Sequence, residues 1–98
     1  MGLYDLRYMP PARNYFKKLK EKGLINAYRE TLGKIAADPY AGEAKTGDLA
    51  GIRCMDVFHG GINHEIAYRI AETAERTVVV LLAGTRENFY RELKRYMR

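Results

Sequence analysis

The carboxyl-terminal segment GTRENFYRELKRYMR, residues 84–98, concentrates basic and aromatic side chains directly after the apolar run TVVVLLA. Arg86, Tyr90 and Lys94 recur every four residues, so we expect them on one stripe of a helix for which Thr85 is the predicted N-cap. An arginine at the end of a buried strand can hold a phosphate through two parallel hydrogen bonds. The Tyr90 ring can stack on a base and its hydroxyl can transfer a proton, or the ring simply packs under the sheet edge.

Two residues of opposite charge lie in the predicted strand HEIAYRIAE, residues 64–72. Alternation places Glu65 and Arg69 on one face, about 13 Å apart at about 3.3 Å per residue, which is too far for a direct pair. Each is therefore expected to face a ligand or a neighbouring strand. The alternative is a cross-strand ion pair of Arg69 with Asp56 or Glu65, which contributes little stability on a half-exposed sheet. The side chains of the preceding strand that can share this face are Cys54, Asp56 and Phe58.

Cleavage of RNA at an in-line phosphate needs a base for the 2′-hydroxyl proton, cations for the phosphate and an acid for the leaving oxygen. Glu65 can supply the base and Tyr90 the acid. Arg69 and Arg86 can supply the cations, so this chemistry needs no metal ion. Two other side chains remain alternative bases: His59 and His64.

The composition favours an acidic partner. Seventeen Lys and Arg residues against twelve Asp and Glu give a formal net charge of +5 and a pI near 9.4, which favours polyanions such as nucleic acid. The single Cys54 excludes an intramolecular disulfide framework, and with only two histidines there is no zinc-type ligand set. We therefore predict no metal and no cofactor. The basic residues expected to contact RNA are Lys17, Lys18, Lys45, Arg53 and Lys94.

The amino-terminal half predicts one strand and two helices. LYDLRY alternates as a strand does, and the proline pair that follows opens a helix over about residues 11–22. Gly23 is the expected C-cap of this helix. A second helix is expected to end at residue 38, because the residue before Pro39 avoids the α conformation.

The carboxyl-terminal half predicts an antiparallel-rich sheet. A glycine-rich loop at 40–51 precedes three strands at 52–59, 64–72 and 76–84, which are separated by a connection at 60–63 and a polar turn over Glu72 to Glu75. The last strand is apolar on both faces, as expected for a central strand. The order β-α-α-β-β-β-α predicts an α+β fold in which helices pack on one face of a small sheet. The first two helices are expected to form a helical hairpin on that face, and a C-terminal helix follows the last strand.

The length and the apolar pattern predict one soluble domain over residues 1–98. The longest apolar run, Val78–Ala83, is too short to span a membrane, and no signal-peptide pattern opens the chain. We expect a cytoplasmic protein that does not bind membranes.

The order and spacing of five segments resemble toxins of the RelE/ParE superfamily from bacterial and archaeal toxin–antitoxin pairs. The segments are LYDLRY, PPARNYFKKLKEKG, ADPYAGEAKTGDLAGIR, HEIAYRI and VVVLLAGTRENFYRELKRYM, and they cover almost the whole chain. The resemblance implies a RelE-like fold. Members that resemble RelE cut messenger RNA in the ribosomal A site, whereas those that resemble ParE poison DNA gyrase on the same fold.

Arg86 and Tyr90 match by position an arginine and a tyrosine that support catalysis in the RNA-cleaving branch. Three residues separate them here, and five do so in RelE. RelE also has an arginine early in the third strand, where Glu65 stands, and lysines along the second strand, where only Arg53 is found. Some relatives of RelE use a glutamate base with an arginine in the sheet, so the resemblance implies that Glu65 and Arg69 form a rearranged version of such a site.

The resemblance implies the toxin of a type II toxin–antitoxin pair. The expected activity is that of a metal-independent, ribosome-dependent endoribonuclease that cleaves messenger RNA and arrests translation. The alternatives are ParE-like inhibition of DNA gyrase and a catalytically inactive toxin-fold binding protein. Besides the ribosome and messenger RNA, the expected partner is an acidic cognate antitoxin whose helix or strand covers the basic face and the grooves between helices.

Overall fold

The computed structural model describes residues 3–71, 76–87 and 89–97 of the chain, and the predicted turn over Glu72 to Glu75 lies outside them. The strands in these residues are β1 (Asp5–Tyr8), β2 (Glu43–Ala44), β3 (Arg53–His59), β4 (Ile62–Ala71) and β5 (Thr77–Thr85). The α-helices are α1 (Pro10–Lys18), α2 (Lys22–Ala37) and α3 (Phe89–Met97), and short 3-10 helices span Pro39–Ala41 and Gly47–Leu49. None of these helices is long and apolar enough to cross a membrane.

The five strands form one mixed sheet in the order β1-β5-β4-β3-β2. β1 runs parallel to β5, from the pair Asp5–Thr77 to the pair Tyr8–Val80, and the other neighbouring strands are antiparallel. β5 therefore lies between β1 and β4, which confirms its prediction as a central strand. The α+β class and the antiparallel-rich sheet are also confirmed.

Two hydrophobic cores lie on opposite faces of the sheet. We call the face covered by the helical hairpin of α1 and α2 the hairpin face, and the face covered by α3 the α3 face. The core on the hairpin face, under α1 and α2, contains Ala12, Leu24, Tyr28, Ile35, Val57, Ile66, Tyr68, Val78, Val80 and Ala83. The core on the α3 face contains Leu49, Ile52, Cys54, Ala67, Val79, Leu81, Phe89 and Leu93. The predicted helical hairpin on one face is confirmed. α3 packs on the opposite face and not beside the hairpin, because β5 is apolar on both faces and both need cover from water.

A β-bulge in β5 sets the register around the polar part of the α3 face. Ala67 pairs with Leu82 whereas Tyr68 pairs with Val80, so Leu81 is an extra residue in β5. Such an insertion bends the strand and re-aims its side chains. As a result, both Leu81 and Leu82 contribute to the α3-face core, while the strand continues to Thr85.

α1 ends at Lys18, four residues earlier than predicted, and Gly23 is not its C-cap. Leu19 adopts an extended conformation, donates its N–H to the Phe16 carbonyl oxygen at 3.2 Å and packs against the hairpin-face core. Gly23 lies instead in the first turn of α2, where an added Cβ would stand 2.8 Å from His59 Cε1. This glycine is needed for a close approach between α2 and the sheet.

The connections between elements are shorter than the sequence predicts. Only Gly60 and Gly61 join β3 to β4, rather than residues 60–63, and both have positive φ, at 61° and 76°. A two-residue hairpin turn of this kind matches the twist of its strands and favours glycine. The predicted loop 40–51 contains the edge strand β2, while the predicted end of α2 before Pro39 is confirmed.

α3 begins at Phe89, so Thr85 is not its N-cap. Thr85 is the last residue of β5, and the Arg86 N–H continues the ladder by donating to the Asn63 carbonyl oxygen at 3.1 Å. Arg86 therefore lies just beyond a strand end and not on a helical stripe with Tyr90. Any contact between these two residues must come from the tertiary fold.

Alanine substitutions at Gly42 and Gly33 are expected to have opposite effects on stability. A Cβ at Gly42 would overlap the Tyr68 hydroxyl, which donates a hydrogen bond of 2.6 Å to the Pro39 carbonyl oxygen. Gly42→Ala should therefore lower the free energy of unfolding by about 1–3 kcal/mol. At Gly33, within α2, an added Cβ meets nothing within 4 Å, so Gly33→Ala should raise it by about 0.5–1 kcal/mol. Urea unfolding measures both, and a Gly42→Ala protein as stable as wild type would contradict the packing at Tyr68.

Candidate active site

The candidate site is built around Glu65, a charged residue that is only 2% exposed. Glu65 lies in β4 on the α3 face, opposite Asp56 of β3 and Gly84 of β5. A carboxylate at this depth needs hydrogen-bonding or charged partners. Gly84 leaves room beside it, since an added Cβ there would meet nothing within 4 Å.

Two side chains from different elements converge on the Glu65 carboxylate. The Tyr90 hydroxyl, from the first turn of α3, donates a hydrogen bond of 2.8 Å to Oε1. Arg86 Nε, from the end of β5, lies 3.4 Å from Oε2. Oε2 is buried and accepts no hydrogen bond within the described residues, so its contact with Arg86 is an ion pair without hydrogen-bond geometry. The structure thus brings together three of the four residues predicted for catalysis.

The main chain of Arg86 is fixed, while its side chain is 62% exposed. Its N–H donates to the Asn63 carbonyl oxygen, and its own carbonyl oxygen accepts from the Phe89 N–H at 3.2 Å. The guanidinium can therefore reach a ligand in solvent without a change in the backbone. Arginine suits phosphate in this position because its planar fork donates two parallel hydrogen bonds.

Lys45 adds a second cation beside Tyr90. Its ammonium lies 4.9 Å from the centroid of the Tyr90 ring and 2.9 Å from Glu43 Oε1. The Tyr90 side chain and the Glu43 carboxylate raise the pKa of Lys45, so it stays charged at neutral pH. Lys94, one turn after Tyr90, extends the basic surface and lies 4.0 Å from Asp48 Oδ2.

The Tyr90 phenol stays protonated at neutral pH. Burial raises its pKa, and the hydrogen bond to Glu65 also raises it, while Lys45 acts in the opposite direction. A phenol in this state donates hydrogen bonds and can release a proton to a strong base, such as a departing alkoxide. Tyr90 therefore suits the acid role better than the base role.

Cys54 lies in the α3-face core and is unsuited to nucleophilic chemistry. Its side chain is buried, and burial raises the pKa of its thiol to about 12. The reactive form is the thiolate, which is scarce at neutral pH under these conditions. Within residues 3–71, 76–87 and 89–97, no three His, Cys, Asp or Glu side chains converge as a metal site would require.

The structure does not bring Arg69 to the Glu65 cluster. Arg69 lies on the α3 face, but on the far side of the bulge and opposite Val79. Its side chain is exposed, and neither Asp56 nor Glu65 pairs with it in the described part of the chain. The extended strand keeps Glu65 and Arg69 about 13 Å apart, so the second cation of the cluster is Lys45, beside the Tyr90 ring, and not Arg69.

Three residues predicted to contact RNA lie away from the cluster. Lys17 and Lys18 end α1, which packs on the hairpin face. Arg53 also lies on that face, where its Nη1 donates to the carbonyl oxygens of Tyr40 and Gly42 at 3.1 and 2.9 Å. The guanidinium of Arg53 thereby fixes the loop before β2.

Neither histidine belongs to the cluster. His64 is buried on the hairpin face, with Nδ1 3.3 Å from the Val57 carbonyl oxygen and its ring edge-to-face with Tyr28. His59 Nε2 lies 2.9 Å from Glu21 Oε2 beside the start of α2. The carboxylate of the site is therefore the base candidate that the geometry supports.

Sequence reasoning misses Glu43 and Gly84. Glu43 reaches the α3 face because β2 pairs it with Cys54. Its spacing of two residues from Lys45 is the signal that would have placed both on one face of an extended segment. Gly84 sits in an apolar run and gives no comparable signal, since its contribution is the space that it leaves.

The family model described as a ParE-like toxin of type II bacterial toxin–antitoxin systems matches residues 6–94. The chain is similar to the RelBE2 toxin–antitoxin complex from Mycobacterium tuberculosis, with 26% identity, a TM-score of 0.68, and 88% of this chain and 94% of that chain covered. It is also similar in fold to a mutant of Escherichia coli toxin RelE in the free state, with 16% identity, a TM-score of 0.69, and 97% and 98% covered. No curated protein sequence matches significantly.

The hydrogen bond from Tyr90 to the buried carboxylate should be measurable in stability. Tyr90→Phe removes the donor and leaves Oε1 buried without it, so we expect the free energy of unfolding to fall by about 1–3 kcal/mol. Tyr96→Phe is the matched control in α3, because no hydrogen bond of its hydroxyl is found within the described residues. Equal stability of the two variants in urea unfolding would contradict the contact at Glu65.

The buried thiol predicts slow alkylation. At pH 7 to 8 the folded protein should react with iodoacetamide at least about 10²-fold more slowly than the protein in denaturant, because Cys54 is both shielded and protonated. The rate in the folded state should rise with pH towards the raised thiol pKa of about 12. Mass spectrometry of timed samples checks this, and rapid labelling of the folded protein would show that the α3-face core opens readily.

Proposed function

The chain belongs to the ParE-like toxin family of type II bacterial toxin–antitoxin systems, and we propose that it is a ribosome-dependent endoribonuclease that cleaves messenger RNA. The observation that carries this proposal is the convergence of Glu65, Arg86 and Tyr90 at the end of the sheet. These side chains match the three tasks that RNA cleavage sets: removing a proton, holding a phosphate and supplying a proton.

In the proposed reaction, Glu65 takes the proton of a ribose 2′-hydroxyl, whose oxygen attacks the adjacent phosphorus. The bond from phosphorus to the 5′ oxygen of the next nucleotide breaks, and Tyr90 protonates that oxygen as it leaves. The products are a 2′,3′-cyclic phosphate and a 5′-hydroxyl. Proton transfer back from Glu65 to Tyr90, along their 2.8 Å hydrogen bond, restores the starting state.

Arg86 has two roles in this proposal. Without substrate it lies 3.4 Å from the buried Glu65 Oε2 and compensates its charge. When RNA binds, the exposed guanidinium turns to the phosphate, which uncovers the carboxylate for the 2′-hydroxyl. Lys45, which stays charged beside Tyr90, then helps to stabilise the charge that develops on the phosphate.

Inhibition of DNA gyrase is the second candidate function. The α3 face carries the exposed carboxylates of Glu43 and Asp56 next to the cluster. Carboxylates repel phosphate, so their presence favours a protein target over a nucleic acid. Against this stands the net charge of +5, which attracts ribosomal RNA. We rank RNA cleavage first because the contacts of Glu65 supply all the groups that the reaction needs.

We also propose an acidic antitoxin as the partner that holds the toxin inactive, by analogy with the RelBE2 complex. A mainly apolar groove of about 530 Å³ lies between α1, α2 and β1 on the hairpin face. It is suited to an amphipathic segment with acidic residues, since two arginines are among its lining side chains. The lining includes Leu6, Phe16, Leu19, Leu32, Arg13 and Arg29. Ribosomes and messenger RNA imply a cytoplasmic place of action.

Comparing two arginine variants should show whether Arg86 acts in catalysis or only adds to the electrostatic attraction between the protein and RNA. Arg86→Ala is expected to slow the cleavage of messenger RNA on purified ribosomes by about 10²-fold or more, as loss of a preorganised charge-stabilising donor commonly does. Arg91→Ala is the matched control, because it removes an exposed arginine of α3 and leaves Glu65, Arg86 and Tyr90 unchanged. This variant should cleave messenger RNA as wild type does. Primer extension on the messenger measures the rate, and thermal unfolding verifies that each variant is folded at the assay temperature.

Two outcomes would count against the proposal. Equal cleavage by Arg86→Ala and Arg91→Ala would remove Arg86 from the mechanism. Intact messenger RNA with the wild-type chain, together with inhibited DNA supercoiling by gyrase, would replace RNA cleavage by the second candidate function.

A further inference from the structure

Phe58 stands exposed on the same face of the sheet as Glu65. It lies near the end of β3 with 72% of its surface exposed and belongs to neither hydrophobic core. Strand alternation puts Phe58 and Asp56 on one face, and Asp56 is the direct partner of Glu65. A large aromatic ring therefore faces solvent beside the candidate site.

The position of Phe58 relative to Arg86 follows from the register. Phe58 pairs with Asn63 of β4, and the Asn63 carbonyl oxygen accepts the Arg86 N–H. Phe58 and Arg86 consequently occupy one row of the α3 face, two strand spacings or about 10 Å apart. This separation suits a nucleotide whose phosphate meets the guanidinium while its base lies over the ring.

Asp56 stands next to Phe58, two residues earlier in the strand. Its side chain is exposed, and within the described residues it forms no ion pair or hydrogen bond. A bare carboxylate beside an RNA site disfavours phosphate, but it accepts hydrogen bonds from base edges. Guanine offers a ring N–H and an amino group side by side on its Watson–Crick edge, which can meet both oxygens of one carboxylate.

We propose that Phe58 and Asp56 form a nucleobase subsite, in which the Phe58 ring stacks on a base and the Asp56 carboxylate selects guanine. The inference rests on the proposed function, because it takes single-stranded RNA as the ligand. The subsite accounts for two exposed side chains that the cleavage chemistry leaves unused. It also gives the Asp56 carboxylate a role in base selection, whereas a carboxylate has no role in binding phosphate.

Binding to the subsite can be measured without cleavage. The chain has no tryptophan, so Phe58→Trp introduces a single indole at the proposed stacking position. Short single-stranded RNA oligonucleotides should quench its fluorescence, and a guanine-containing oligonucleotide should do so at about 10-fold lower concentration than one of uridines alone. Ile62→Trp is the matched control, because Ile62 pairs with His59 and lies on the opposite face of the same hairpin. Equal quenching of the two variants, or none, would overturn the subsite.

Cleavage gives the second readout. On ribosomes that carry a guanine in the decoded codon, Phe58→Ala should raise the toxin concentration needed for half-maximal cleavage by about 10-fold or more, since base stacking on an aromatic ring contributes on that order. Phe58→Tyr should retain wild-type cleavage, and Ile62→Ala should do so too. Asp56→Asn should remove the preference for guanine codons over matched codons without guanine. Wild-type behaviour of Phe58→Ala, or an unchanged preference in Asp56→Asn, would overturn the corresponding half of the proposal.

The two readouts distinguish failure of the subsite from failure of the proposed function. If the wild-type chain leaves messenger RNA intact but guanine-containing RNA quenches the fluorescence of Phe58→Trp, the subsite is supported and the proposed endoribonuclease function is rejected. If the wild-type chain cleaves but Phe58→Trp and Phe58→Ala show no effect, the activity stands and the subsite is overturned.

Discussion

The burial of one carboxylate is the constraint on which the functional end of this molecule depends. An ionised group in the interior is costly unless charged and hydrogen-bonding partners surround it. Glu65 finds its partners in Arg86, just after β5, and Tyr90, in the first turn of α3. The carboxylate therefore joins the sheet to the helix that follows it. Oε2 accepts no hydrogen bond in the described part of the chain, and its charged partner there is the Arg86 guanidinium.

The two faces of the sheet differ in what they carry: the larger core lies on the hairpin face and the candidate site on the α3 face. On the hairpin face, α1 and α2 bury large side chains such as Tyr28 and Tyr68 and fix the strands in register. On the α3 face, a smaller core leaves the ends of β3, β4 and β5 partly uncovered, and the polar cluster lies there. The bulge at Leu81 changes the register of β5 between the part that pairs with β1 and the part that leads to Arg86. The sheet thus holds side chains from three elements close together, which suits the positioning that the proposed cleavage of a phosphate would require.

Sequence patterns predict the features that depend on interactions between residues close together in the chain. Strand alternation is enough to place Glu65, Asp56 and Phe58 on one face of the sheet. Pro39 is enough to predict the end of α2. Both effects act over a few neighbouring residues. The sequence predicts Gly23 as a C-cap and cannot show its actual constraint, the approach of His59, because that residue lies far along the chain. Charge alone does not determine the face on which a side chain lies, which is why it could not show that Arg53 and Lys17 lie away from the cluster. The expected helical stripe that joins Tyr90 to Arg86 is absent, because Arg86 lies beyond the end of β5, yet the tertiary fold brings both side chains to the Glu65 carboxylate.

The ion pair between Glu65 and Arg86 affects how the proposed site can be regulated. In the absence of substrate, Arg86 compensates the charge of the buried Glu65 carboxylate. On the proposed mechanism, one guanidinium cannot fully serve both the carboxylate and a phosphate, so phosphate binding weakens the ion pair and exposes the base. The energy for this change must come from contacts made elsewhere on the RNA, since exchanging one anion for another yields little by itself. The base would then be available only when a longer substrate is in place, and free phosphate or short fragments would leave Glu65 covered by Arg86.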